Sequence, residues 1–278
     1  GKRLNYYDLA NNTVTTIQPQ TTAVGVTDAP GTKFGNGTYS VYLYGNETVR
    51  LLNAHAAEHA AKQTDDAMQP MYVYLAWNVV HDPNEAPPSY AASNSDIVDT
   101  ERMYLAAMAQ SVDDSIATIV ETLKANGMWT NTVLIVHTDN GGNLGGAGNN
   151  FPLRGGKYTF WQGGTRGIGF IASPLLPDAV RGLKWNGLAH AVDMHTTIAK
   201  LGGASDAMLA ATGPLPSDGV DLWPSIIANT SSPREHLVLQ VCSGGVCRMW
   251  ANDKNDSIGA VRKVCWFWLS STFSSFFR

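Results

Sequence analysis

The 278-residue sequence is poor in charge and in cysteine, and it has no long apolar run. Charged residues make up 15% of it and hydrophobic ones 44%, a balance that suits a globular chain with much buried surface. The net charge is −4 and no basic stripe stands out to neutralise phosphates, so nucleic acid is excluded as a partner. No stretch is apolar for long enough to span a bilayer. The start, Gly-Lys-Arg-Leu-Asn-Tyr-Tyr, has neither the Met nor the apolar core of a signal peptide. Either the chain is cytosolic or its true beginning lies upstream. Five sequons, at Asn11, Asn36, Asn46, Asn229 and Asn255, favour the second option and the secretory route.

The cysteines are Cys242, Cys247 and Cys265. Cys242 and Cys247 could close a short disulfide loop in an oxidising compartment, leaving Cys265 unpaired. A zinc site would need two more ligands nearby, and the flanking sequence supplies none.

What is present alternates between helical and strand patterns. Residues 5–38 are polar and without clear period, so irregular structure with a short strand pair is expected. Tyr42 to Gln63 carries apolar or Ala positions along one helical face. Met71 to Trp77 is a short apolar run rich in β-formers and reads as a buried strand. Ile97 to Ala125 has the strongest helical period, with Asn126-Gly127 as its stop. Thr132 to Thr138 and Gly167 to Ala172 read as two further buried strands, and His190 to Leu201 as another helix ended by Gly202-Gly203. The alternation implies an α/β sheet with helices on its faces, and such sheets place their sites beyond the carboxyl ends of strands. That singles out His81 after the first strand and Asp139-Asn140 after the second. Beyond Pro224 the character changes: Glu235 to Val241 is a strand with no helix following it, as in a smaller antiparallel unit. The last stretch, Cys265 to Arg278, mixes aromatics with Ser and has neither period nor cap.

The Gly-rich region after the second strand carries the most chemistry. Thr138-Asp139-Asn140-Gly141-Gly142 sets a carboxylate beside an amide oxygen, and hard cations such as calcium take several oxygens of this kind. The glycines let backbone turn sharply or come close. Arg154 and Lys157 follow, and a Lys ammonium is a point-charge donor suited to a sulfate or phosphate oxygen. A nucleotide-binding P-loop is ruled out, because Tyr158 stands where Ser or Thr must follow Gly156-Lys157 and Phe151 stands where the first Gly belongs. A dinucleotide fingerprint fails too, since Asn143 to Asn150 opens no helix. His55-Ala-Ala-Glu58-His59 matches the H-x-x-E-H pattern of some zinc peptidases, but no third ligand follows on a matching helix. A solvated helix face explains it better.

Three segments then take on a joint meaning. Asp139-Asn-Gly-Gly, Asn149-Asn150-Phe-Pro-Leu-Arg154-Gly-Gly-Lys157 and Trp161-Gln-Gly-Gly-Thr-Arg166-Gly-Ile-Gly-Phe closely resemble the sulfatase family of the alkaline-phosphatase superfamily, its arylsulfatase B branch most of all. Tyr74 to Pro83, Tyr104 to Thr130 with the Gly127-Met-Trp129-Thr-Asn131-Thr turn, Ser173-Pro-Leu-Leu and Asp218-Gly-Val-Asp221-Leu-Trp223 extend the resemblance, which runs from about Met71 to Trp223 and is thin before it. It implies an alkaline-phosphatase-like α/β sheet with helices on both faces over residues 1–225. A truncated small antiparallel subdomain is implied over residues 226–278. It also implies calcium, held in part by Asp139 and Asn140. Lys157 is implied to hold the sulfate ester, and His81 to contact the sulfate or protonate the leaving alcohol oxygen. The substrate class would be a sulfate ester, glycosaminoglycans among the candidates, and the compartment lysosomal or extracellular.

The departures are as informative. The family attacks with a formylglycine made from the Cys or Ser of a C-x-P-x-R motif, and no such motif occurs in this sequence. The Asp-Asp pair near the family's N-terminus and its Lys-x-His element are missing as well. Asp65-Asp66 and Asp113-Asp114 lie in a connector and a helix, not at a strand end. Gly259 to Lys263 looks like the start of the family's small C-terminal sheet, after which the aromatic tail reads like a frameshift or an unspliced intron. A fragment of a sulfatase, itself inactive, is therefore expected. The alternative is a non-catalytic secreted glycoprotein that binds sulfated glycans, and a third possibility is another hydrolase of the superfamily.

Overall fold

The computed structural model describes residues 4–8, 13–17, 38–62, 69–211, 217–242, 258–263 and 266–270. The backbone divides into two compact units. The first is Gly1–Thr132 with Leu144–Asn149, and the second is Val133–Asn143 with Asn150–Arg278.

In the first unit, β1 (Leu4–Asp8) and β2 (Thr13–Ile17) pair antiparallel, from Leu4 opposite Ile17 to Asp8 opposite Thr13. This is the expected short strand pair. Three helices follow, α1 (Ser40–Ala61), α2 (Pro88–Ser93) and α3 (Thr100–Ala125). Asp99 caps α3 by accepting from the Arg102 amide at 2.8 Å, satisfying a donor that helix geometry leaves orphaned. Its other end stops at Asn126, where Gly127 takes a φ of 69°. The apolar stripes of α1 and α3 meet at Leu52, Ile119 and Leu123, with Val49, Leu75, Trp77, Met128 and Trp129 packed round them. Gly45 permits this approach: a Cβ there would run into the Ser115 hydroxyl.

The run from Met71 to Trp77 corrects the sequence-based expectation. It forms no strand, and Tyr72 and Tyr74 are 63% and 75% exposed. Leu75 and Trp77 turn onto the α1–α3 core instead. A β-forming composition fits a pleated surface only when a partner strand supplies one, and the helical core claims the alternate residues here.

The second unit opens with β3 (Leu134–His137), paired antiparallel with β4 (Gly169–Ala172), Leu134 opposite Ala172 and His137 opposite Gly169. Both strands are partly exposed and not fully buried. Between them lies a one-turn helix, α4 (Gln162–Thr165). Then come α5 (Ala191–Leu201), α6 (Asp206–Ala210) and α7 (Trp223–Ala228). The end is a three-stranded antiparallel sheet in the order β5 (His236–Cys242), β6 (Ile258–Lys263), β7 (Trp266–Ser270). The aromatic tail, which has no readable period, thus contributes a strand: Trp266 to Ser270 pairs with Lys263 back to Gly259. Cys247 and Cys265 lie outside the described residues, as do Asp65 and Asp66.

Candidate functional site

The Gly-rich region is laced together by its own backbone and by the side chains of Thr138, Asn150 and Thr159. Past the end of β3, the Thr138 amide donates to the Ile168 carbonyl at 2.9 Å, and the Ile168 amide returns a bond to the Thr138 hydroxyl at 3.0 Å. The chain then presents Asp139, exposed, and Asn140, half-buried. Gly141 donates to Gly164 at 2.9 Å, and Gly163 donates to Arg154 at 2.8 Å. The centre is Gly142. Its amide donates to Asn150 Oδ1 at 2.8 Å, and its carbonyl accepts from Asn150 Nδ2 at 2.9 Å and from the Lys157 amide at 3.0 Å. Asn150 Nδ2 also lies 3.2 Å from the Gly155 carbonyl.

The glycines here are a steric requirement. A Cβ on Gly141 would collide with the Gly163 carbonyl, and one on Gly163 with that of Gly155. Three backbone passes therefore lie closer than any side chain permits. Beside Lys157, Tyr158 holds a φ of 75°, a left-handed conformation that costs a bulky residue on the order of 1–3 kcal/mol. The Thr159 amide and hydroxyl fasten that turn to the Gly156 carbonyl at 3.0 and 2.8 Å. Arg154 is taken up by the Trp161 ring, 4.0 Å from its centroid, and the Lys157 ammonium lies 5.5 Å from the Tyr158 ring.

Asp139, Asn140 and Lys157 are thus carried on one laced loop system. His81 belongs to the first unit. It is exposed, its amide donates to the Asn78 carbonyl at 3.2 Å, and its Nδ1 lies 3.1 Å from the Asp82 carbonyl. A carbonyl only accepts, so in the neutral ring the proton sits on Nδ1.

The donor types of Asp139 and Asn140 suit calcium, but the number falls short. Calcium takes six to eight oxygens. No group of three His, Cys, Asp or Glu placed to hold a metal occurs among the described residues. This pair is an incomplete ligand set. In the H-x-x-E-H segment, His55 Nε2 lies 2.9 Å from the Gln69 carbonyl and Glu58 pairs with Lys62 at 3.1 Å. Both are the bonds of a solvated helix face. Asn46 and Asn229 are exposed, while Asn11, Asn36 and Asn255 lie outside the described residues.

Sequence reasoning passed over two features. Asn150, the loop's clamp, was legible only as one of two adjacent asparagines among glycines. The other is a buried ion pair. Asp193 is fully buried in the first turn of α5 and meets Arg234 Nε at 2.8 Å and Nη2 at 2.5 Å. It also accepts from the amides of His190 and Val220, at 2.8 and 2.9 Å. Burial opposes ionisation of Asp193, but Arg234 and the two amides outweigh it and hold the carboxyl below the usual range.

A sequence model of the family described as Sulfatase matches residues 10–204. Arylsulfatase J of Mus musculus is 33% identical over 206 residues, which is 74% of this chain and 31% of arylsulfatase J. Steryl-sulfatase of Rattus norvegicus is 25% identical over 186 residues, 63% of this chain and 29% of its own. Among solved structures, that of Ps i-CgsB aligns with a TM-score of 0.68 at 25% identity, covering 89% of this chain and 49% of that one. Its complex with k-i-k-neocarrahexaose aligns with a TM-score of 0.67 at 26% identity, covering 87% and 48%. These likenesses show an alkaline-phosphatase-like α/β fold. The chain spans about half of the structures it matches and under a third of these curated relatives.

Proposed function

This chain belongs to the sulfatase family, and we propose that it is the downstream part of a calcium-dependent hydrolase of sulfate esters that resembles arylsulfatase B. The observation that carries this is the laced loop, which holds Asp139, Asn140 and Lys157 on one glycine-permitted frame. Lys157 holds the sulfate by charge-assisted hydrogen bonding. Asp139 and Asn140 supply two of the calcium oxygens. His81 contacts the sulfate or delivers a proton to the leaving alcohol oxygen. Residues 1–225 form the catalytic portion and 226–278 the small subdomain. The substrate is a sulfated glycan, a choice supported by the neocarrahexaose bound to Ps i-CgsB. The sequons support a secretory, lysosomal or extracellular protein. Among the described residues no helix is long and apolar enough to cross a membrane.

The chain has no C-x-P-x-R motif, so it lacks the formylglycine nucleophile and with it covalent catalysis. The purified chain is expected not to turn over p-nitrophenyl sulfate, and turnover above the buffer rate refutes its inactivity. A second reading, a non-catalytic glycoprotein that binds sulfated glycan, is favoured by the completeness of the Lys157 loop without that nucleophile. It requires binding of a sulfated oligosaccharide by calorimetry that weakens about 10- to 100-fold in Lys157→Ala. Binding unchanged by that substitution removes Lys157 from both readings.

A further inference from the structure

Two sequence features left over from the sulfatase reading converge on one place. The Asn46 sequon lies on α1 and the Asp113-Asp114 pair on α3. Asn46 and Asp114 both line a cavity of about 120 Å³ between α1, α2 and α3. Its walls include the rings of Tyr42 and Tyr90, 6.5 Å apart between centroids, and the side chains of Ser115 and Thr118. Tyr90 donates to Asp114 Oδ2 at 2.8 Å, and a carboxylate has acceptor capacity beyond that one bond at the wall of the cavity it lines. The Thr118 hydroxyl gives its proton to the Asp114 carbonyl at 2.9 Å and keeps lone pairs for a donor.

Tyr42 stands four residues before Asn46 on the same helix. Helical side chains lean toward the N-terminus, so whatever extends from Asn46 is aimed over Tyr42. An aromatic wall, a carboxylate acceptor and flanking hydroxyls together match a sugar, which has an apolar C–H face and a rim of hydroxyl donors. Bulk apolar ligands fit poorly against Asp114 and Thr118, and an anion is repelled by the carboxylate.

We propose that this cavity cradles the innermost N-acetylglucosamine of a glycan attached to Asn46, resting the sugar on Tyr42 and bonding it to Asp114 and Thr118. This rests on the reading of Asn46 as a glycosylation acceptor and is independent of the sulfatase chemistry. Attachment is the host transferase's step. A bond forms between Asn46 Nδ2 and the sugar's anomeric carbon, the bond from that carbon to a lipid diphosphate breaks, and one amide proton is lost. The docked sugar ties α1 to α3 across the groove that Gly45 and Ser115 also line.

The test uses the full chain secreted from a glycosylating host, with glycopeptide mass spectrometry at each sequon. Peptide N-glycanase release at Asn46 is compared before and after denaturation, with exposed Asn229 as the internal comparison. Native release at Asn46 is expected to be about tenfold slower than after denaturation, while Asn229 changes little. Tyr42→Ala and Asp114→Ala should each restore most of the rate. Thr118→Val gives a milder probe, and circular dichroism checks that each variant is folded. An unoccupied Asn46 overturns the acceptor reading and the docking with it. An occupied Asn46 released equally fast in both states overturns the docking alone. Slow release unchanged by folded variants also overturns it, because the protection then comes from elsewhere.

Discussion

Removing Asp193 provides the most demanding test of how the second unit is held. In the native state its carboxylate is shared by the Arg234 guanidinium and the amides of His190 and Val220. Asp193→Ala leaves the Arg234 side chain, 13% exposed, with carbonyl partners only: Asp218 at 2.8 Å and His236 at 3.4 Å. Breaking a buried pair by deleting one member costs about 3–5 kcal/mol, because the remaining charge is buried uncompensated. The orphaned His190 amide at the start of α5 adds to this. A total of about 4 kcal/mol corresponds to a fall in Tm of roughly 8–16 °C for a domain of this size. Asp193→Asn keeps the shape and one acceptor, so about half that loss is expected.

Urea unfolding followed by tryptophan fluorescence reads the effect, since Trp185 is fixed in the same unit by its bond to the Thr230 carbonyl at 2.8 Å. Asp193→Ala combined with Arg234→Met should cost at least about 1 kcal/mol less than the sum of the two single changes. The pH dependence has a definite sign. The native pKa of Asp193 is depressed, so its contribution is complete above the unfolded value, near pH 4, and is lost as pH falls through the native value. The stability gap between wild type and Asp193→Asn should therefore be constant from about pH 7 to 5 and close below about pH 4. A loss under about 1 kcal/mol for Asp193→Ala, or strict additivity in the double variant, refutes a structural role for the pair.

Other expectations follow from the loop. Gly141→Ala and Gly163→Ala each force a Cβ into a backbone carbonyl, so each should destabilise the second unit by well over the roughly 1 kcal/mol expected of Gly182→Ala. Gly182 also has a positive φ but nothing near its Cβ position. Thermal melts compare the three, and equal losses would mean that the loop passes are not as close as described. Asn150→Ala removes three bonds at Gly142 and Gly155. Amide exchange at Gly142 is expected to accelerate at least about tenfold, and an unchanged rate would show that the clamp is redundant. Calcium titrated into the chain should show no site tighter than about 1 mM, because two side-chain oxygens do not make a set of six to eight. A tighter site lost in Asp139→Ala would show that further ligands are present.

The sequence was most legible where one signal decided the outcome. The helices α1, α3 and α5 begin and end within a few residues of their expected limits, because the helical period sets each of them, with stops at Asn126-Gly127 for α3 and Gly202-Gly203 for α5. It was least legible where a partner decides. The β-formers of Met71 to Trp77 only become a strand if another strand lies alongside, and Leu75 and Trp77 are drawn to a helical core instead. Trp266 to Ser270 is the converse: aperiodic aromatics that pair because β6 offers an edge. Asp193 and Arg234, 41 residues apart, carried no joint sequence signal.

The same distinction bears on whether a site can outlast its activity. Every bond described for the laced loop joins residues between Thr138 and Ile168, and the longest spans 30 positions. Its closeness is enforced by glycines within that span, not by side chains brought from afar. A frame whose hydrogen-bond partners all lie within so short a stretch draws those bonds from itself and not from the rest of the chain. Catalysis is different in kind, since it requires a nucleophile and a metal whose ligands must converge from separate segments. On the proposed reading, Lys157 stays placed for an anion without any need for turnover. Binding at Lys157 and hydrolysis should separate in this chain, and measuring both on the same preparation tests that separation directly.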